Sequence, residues 1–307
     1  MAYLYRFDGV RLERIDAPGP RPLRWVAWRP DGSEALLVGN GGFAVRWDGR
    51  TFRPLETGTR HNLRGAAWSP DGELAVIVGN RGLILLTDGE SAREAPAPTV
   101  ENLRRVAWRP DGRTALVVGN AGTALLLDRE GRVEPIPGDR AHTLRAVAWR
   151  PDGAYALVAA YGSSWAGYPR PHPLYRCDGR YLQAMFASDD EDDFVAVDWR
   201  PDGREALIAG YAFRDDGAAV NKVALYDGRG FRTMLVEAPG LLWGAAWRPG
   251  TDEALLLGEQ GRLLRYVGGR FEPIESGVSD NLVGPFWRPD GAFALILKGP
   301  DERVYTV

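Results

Sequence analysis

Several kinds of chemistry are scarce in this chain of 307 residues. There is one cysteine, Cys177, which excludes an intramolecular disulfide and any multi-cysteine metal site. There are three histidines, His61, His142 and His172, and no pair has zinc-site spacing. No stretch of 18 apolar residues occurs, so no membrane-spanning helix is expected. The start, MAYLYRFDGV, lacks a basic segment followed by an apolar one, so no secretory leader is expected and the cytoplasm is the expected compartment. Charge of one sign is lacking too. Lys+Arg total 38 against 41 Asp+Glu, a net charge of -3 that gives no global field favouring nucleic acid or anionic membrane. There is no phosphate-binding loop, no G-x-S-x-G elbow and no dinucleotide fingerprint opening a helix. No cofactor is expected, and a non-catalytic chain is favoured over an enzyme.

What is abundant is Gly (38), Pro (22) and Trp (11), and these residues recur in register. Trp28-Arg29-Pro30-Asp31-Gly32 returns at Trp68, Trp108, Trp149, Trp199, Trp247 (altered to Trp247-Arg248-Pro249-Gly250) and Trp287, with spacings of 40, 40, 41, 50, 48 and 40. Seven units of this length match four-stranded propeller blades. Five residues before each Trp stands an apolar side chain: Leu23, Leu63, Leu103, Leu144, Phe194, Leu242 and Leu282. A short run of small residues leads to the Trp and forms strand a. The Pro-Asp-Gly turn follows, then an apolar strand b such as Ala115-Leu116-Val117-Val118. A Gly-Asn-x-Gly turn (Gly39-Asn40-Gly41-Gly42) leads to strand c, and Asp48-Gly49 leads to strand d. No helical period intervenes. Such a sheet is apolar on both faces and is stable only when neighbours cover it, so a closed ring is expected. The whole chain, 1–307, reads as one all-β domain, a seven-bladed propeller of antiparallel blades beginning near 23, 63, 103, 144, 194, 242 and 282. The repeat Trp residues read as packing between blades.

The unit resembles a WD40 repeat. Arg60-His61 through Trp68-Ser69-Pro70-Asp71-Gly72, then Val78-Gly79-Asn80-Arg81-Gly82, is similar to that family's histidine loop and turns, and Trp47-Asp48 matches its dipeptide. The W-x-P-D-G turn also resembles TolB-like propeller repeats. Thr87-Asp88, Leu127-Asp128, Cys177-Asp178 and Tyr226-Asp227 keep only the Asp of the dipeptide, and Asn40, Asn80 and Asn120 stand where Asp is common. The family's buried polar network is therefore mostly missing, and rigidity must come from packing. The resemblance also implies ring closure by the N-terminus. Residues 1–16 align with a strand c plus strand d hairpin of the last blade, yet residues 303–307 align with strand c as well, so that strand is supplied twice.

Departures from the repeat are the candidate functional positions, because folding alone explains the rest. In the family topology the d–a and b–c loops share one face, here called the top. Blade 4 has a long b–c segment containing Trp165, Tyr168, Arg170 and His172, and blade 5 has another containing Tyr211 and Phe213. An acidic run, Asp189 to Asp193, lies between them. Aromatics on loops are typical interface anchors, so these residues are expected to hold a protein or peptide. A second asymmetry lies four residues before the Trp. Arg24, Arg64, Arg104 and Arg145 fill that column in blades 1–4, whereas Val195, Trp243 and Val283 fill it in blades 5–7. Four converging guanidinium groups suit a carboxylate or phosphate at the channel mouth. The competing assignment pairs each Arg with a loop carboxylate such as Glu101 or Asp139. Asp198 stands where five other units have Ala, and it is expected to pair with an Arg, the alternative being help in binding a cation. The favoured function is thus a binding scaffold for a protein or peptide, with no membrane or nucleic-acid partner. The alternatives are a propeller enzyme of lactonase, lyase or hydrolase type, a small-anion or metal binder at the channel, and an amplified or engineered ring without a ligand.

Overall fold

The repeat folds as its periodicity requires. In the computed structural model, which describes residues 2–138, 142–161, 174–185, 192–214 and 217–300, seven four-stranded antiparallel sheets close into a ring. Blade 1 runs from strand a (Leu23–Trp28) through strand b (Ala35–Gly39) and strand c (Ala44–Trp47) to strand d (Phe52–Pro54). Blades 2–6 repeat this order. The only helical pieces among the described residues are single turns such as Asn40–Gly42. No described helix is long and apolar enough to cross a membrane.

The core is a set of seams. Strand b of blade 1, Ala-Leu-Leu-Val-Gly, is buried at every position, because each of its faces meets a neighbouring blade. Leu36 and Val38 pack with Leu63, Ala66 and Ile77 of blade 2, while Leu37 packs with Phe286 and Leu295 of blade 7. The remaining apolar clusters fill the other five seams in the same way. The repeat Trp belongs to these seams. Trp108 and Trp149 are buried, and their indole N–H groups donate to the carbonyls of Ala67 and Ala107 in the preceding blades, each at 3.1 Å.

A second interblade device sits one residue after the Trp. Arg29, Arg150, Arg248 and Arg288 each donate Nε to the glycine carbonyl in the next blade's Pro-Asp-Gly or equivalent turn. Arg29, Arg109, Arg150, Arg200 and Arg248 also lie over the next blade's repeat Trp, with guanidinium-to-ring distances of 4.7–5.8 Å. Blade 2 has Ser69 at this position. Arg129, from the c–d turn of blade 3, takes over: it covers Trp108, reaches the Gly112 carbonyl and pairs with Asp71 at 2.7 Å. The rigidity expected from packing therefore has a cationic clamp beside it.

The last blade settles the doubled strand. Its order is Leu282–Trp287, Ala294–Lys298, Tyr3–Phe7, Leu12–Asp16, so the N-terminal hairpin supplies strands c and d. Residues 303–307, the competing copy, lie outside the described residues. The hydroxyls of Tyr3 and Tyr5 donate to Asp280 Oδ2 at 2.7 and 2.5 Å, which ties the hairpin to the loop entering blade 7.

The d–a loops and b–c turns do share the top face. Gly42 donates its N–H to the His61 carbonyl, and a Cβ on Gly42 would sit 1.9 Å from the Thr59 oxygen, so the approaching d–a loop requires glycine there. Asn62, Asn102 and Asn281 each accept an N–H from the preceding blade's b–c turn, which locks one top loop to the next.

Candidate functional site

Strand a carries a register break at one place in every blade. The ladder to strand b shifts between Leu23 and Trp25, Leu63 and Gly65, Leu103 and Arg105, and at the matching points of blades 4–6, whereas in blade 7 Val283 stays paired and the shift falls between Val283 and Phe286. A bulge leaves its extra residue off the ladder and re-aims the side chain. In blades 1–6 that residue is the one four before the Trp, and all six line a single funnel of about 420 Å³ at the top of the ring axis. The volume is in the range of small-molecule sites, roughly 300–1,000 Å³.

The funnel has two unlike halves. Arg24, Arg64, Arg104 and Arg145 come together on one side, as the sequence column implies, and Arg105 joins them. Sixteen residues after each bulged position, at the b–c turn of the same blade, stands the residue that holds it. Arg24 donates Nε to Asn40 Oδ1 at 2.9 Å, Arg104 to Asn120 Oδ1 at 2.8 Å, and Arg64 likewise to Asn80. In blade 4 the partner is the Tyr161 ring, 5.3 Å from the Arg145 guanidinium. No described carboxylate forms an ion pair with any of these five arginines, so pairing with Glu101 is not what holds them; Asp139 lies outside the described residues. The terminal guanidinium nitrogens of Arg24, Arg64 and Arg104 make no hydrogen bond to a described residue. Arg104 is buried, and burial followed by the charge of Arg145 brings its pKa down to about 10. Burial comes first for Arg24, Arg64 and Arg105 too, with Arg145 acting on all three, and it takes Arg105 well below the usual range.

Blades 5–7 change both columns together. Val195 is matched with Tyr211, Trp243 with Glu259 and Val283 with Gly299. The Trp243 ring needs the last of these: a Cβ on Gly299 would lie 3.1 Å from its Cζ3. Glu259 is buried and accepts the Leu241 N–H through Oε2 at 3.0 Å, and Lys298 lies 3.9 Å from Asp280. This half therefore presents mainly apolar and aromatic surface.

Arg105 was missed in the sequence, although a signal exists. Three residues before the Trp the column reads Trp25, Gly65, Arg105, Ala146, Ala196, Gly244 and Gly284, so only two members are large. The two meet. The Arg105 guanidinium lies 3.9 Å from the Trp25 ring centre and donates to the carbonyls of Arg64 and Arg104. Trp25 donates Nε1 to Ala66 in blade 2 and stands edge-on to Phe286 of blade 7 at 4.6 Å. Side chains from blades 1, 3 and 7 thus gather beneath the arginines.

Three expectations need correction or relocation. The blade 5 segment is no loop: strand b runs through Ala206–Phe213 and strand c starts at Ala219, because the alternation carries hairpin pairing outward to Phe213 and Ala219. Tyr211 is accordingly buried and faces the funnel, with Phe213 edge-on to it at 5.7 Å, so the two do not form an exposed anchor. Asp198 has no Arg partner among the described residues; it accepts the Trp247 N–H at 2.8 Å and so bridges the inner strands of blades 5 and 6. Burial pushes its pKa up to about 7, against the opposing pull of N–H groups from Trp247 and Trp199. Trp165, Tyr168, Arg170 and His172 lie outside the described residues, as does most of the acidic run. No cluster of metal-ligating side chains occurs among the described residues.

No family model matches the chain, and no curated protein matches it in sequence. Among solved structures, hydrazine synthase from Kuenenia stuttgartiensis is similar in shape, with a TM-score of 0.69 and 15% identity over 94% of this chain and 98% of that one. At that identity the likeness is one of fold, and it places this chain among the seven-bladed β-propellers.

Proposed function

We propose that the chain is a WD40-like binding module whose ligand is an anion held in the top-face funnel, with blades 1–4 supplying the charge. The observation that carries this reading is the set of guanidinium groups fixed through Nε by Asn40, Asn80 and Asn120, with their terminal nitrogens unused by any described residue. Gathering five like charges in a half-buried arc is unfavourable for folding alone, and an anion between them offsets that repulsion. Paired terminal nitrogens present the fork that carboxylate and phosphate oxygens accept. A protein or peptide partner fits this reading when it brings an anionic group to the funnel.

Calorimetric titration with inorganic pyrophosphate tests it. The Arg64→Gln/Arg145→Gln chain, with circular dichroism unchanged, is expected to bind at least about tenfold more weakly than wild type. Equal affinity in the two chains would remove the funnel from the proposal.

A further inference from the structure

We infer that the occupant of the funnel is a phosphate monoester carried on a planar apolar body, a step that rests on the anion-binding reading above. The charge count points to phosphate. A carboxylate has one negative charge and two oxygens, enough for a single guanidinium fork. A phosphate monoester carries about -1.5 to -2 charges near neutral pH and three strong acceptor oxygens, which suits several forks converging from neighbouring blades. Arg24, Arg64 and Arg104 stand in three successive blades, each tied at Nε, and the charge of Arg145 acts on all three.

The apolar half points to the rest of the molecule. Inorganic phosphate alone would leave much of the 420 Å³ empty and would leave the surface opposite the arginines uncovered. That surface includes the Trp243 ring, seated over Gly299, and the side chains of Val195, Tyr211 and Val283. Aromatic rings and flat aliphatic walls favour a planar partner, which stacks with little loss of contact. A ring linked to phosphate spans the two halves: the phosphoryl oxygens meet the arginines and the ring meets Trp243. A free nucleotide and a phosphotyrosyl side chain are two sources of this one chemistry.

The test compares probes on the intact chain by calorimetry at fixed low salt: phenyl phosphate, benzoate, inorganic phosphate, AMP and O-phosphotyrosine. Phenyl phosphate is expected to bind roughly tenfold more tightly than either benzoate or inorganic phosphate. Trp243→Val, which installs the residue that blades 5 and 7 carry, should bring phenyl phosphate to within about threefold of inorganic phosphate and leave inorganic phosphate unchanged. Trp243→Phe should restore most of the difference, which a merely structural role for the indole would not do. The tighter of AMP and O-phosphotyrosine then assigns the source. Equal binding of phenyl phosphate and inorganic phosphate, or benzoate as tight as phenyl phosphate, overturns the inference while leaving an anion site in place. Failure of every anion, pyrophosphate included, overturns the anion-binding reading itself.

Discussion

Blades 1–3 and blades 5–7 share a backbone and differ at the funnel. Both sets have the same sheet order, a bulge in strand a that only blade 7 displaces, and the repeat Trp packed in the seam. Four residues before the Trp and at the turn sixteen residues later, the first set has Arg with Asn and the second has Val, Trp and Val with Tyr, Glu and Gly. What is constant around the ring builds it, and what alternates between halves makes one rim two-sided. The comparison also separates two uses of arginine. The clamp arginines, which follow the Trp in every blade but the second, are spent on the neighbouring blade, whereas among the described residues the bulge arginines reach their own turn and the funnel.

This division can be broken from the constant side first. Trp108→Ala and Trp247→Ala remove buried seam residues from opposite halves, and each should lower the unfolding free energy by about 3–5 kcal/mol in urea titrations. A much smaller loss in one of them would mean that the seams are not equivalent. Next is Asp198, which only blade 5 carries. Unfolded, it releases its proton near the ordinary carboxylate value; folded, it holds the proton up to about 7. The folded chain therefore binds the extra proton between those values, and stability falls as pH rises through that window. Asp198→Asn, which can still accept the Trp247 N–H, should raise stability by on the order of 2 kcal/mol at pH 8 and by almost nothing at pH 4. An equal gain at both pH values would show that the carboxylate does not titrate in this window.

The seven blades, their four strands and closure by residues 1–16 were legible in the sequence, because turn residues and apolar alternation act locally and repeat. The arginine column was legible for the same reason. The bulge that aims it was not, since a register shift is decided by pairing with strand b and leaves no residue type behind. Blade 5 misled because Tyr211 and Phe213 sit among Gly, Asp and Arg, as loop residues do, yet cross-strand pairs from Asp192 to Ala219 extend the sheet past them. Asp198 misled through charge counting: a carboxylate next to unpaired backbone N–H groups needs no arginine.

Two smaller effects sharpen the contrast between halves. Arg104→Met should change stability by less than about 1 kcal/mol, because relief of like-charge repulsion offsets the lost bond to Asn120, while pyrophosphate binding falls at least several-fold. A large destabilisation with binding retained would make Arg104 a structural residue. Conversely, Val195→Arg with Tyr211→Asn copies the blade 1 pair into blade 5 and should tighten pyrophosphate binding about threefold. No gain in a folded variant would show that the geometry of blades 1–4, and not charge alone, sets the affinity.

The asparagines also determine when conformational entropy is lost. A free arginine on a rim gives up its rotamers on meeting a ligand, at a cost of about 0.5–1.5 kcal/mol per side chain. Arg24, Arg64 and Arg104 have already been immobilised by Asn40, Asn80 and Asn120, so that loss falls on chain folding and leaves association nearly free of it. Arg145, which among the described residues rests against a ring face, keeps its freedom until the complex forms, and it is the side chain whose dynamics should change most when the funnel fills.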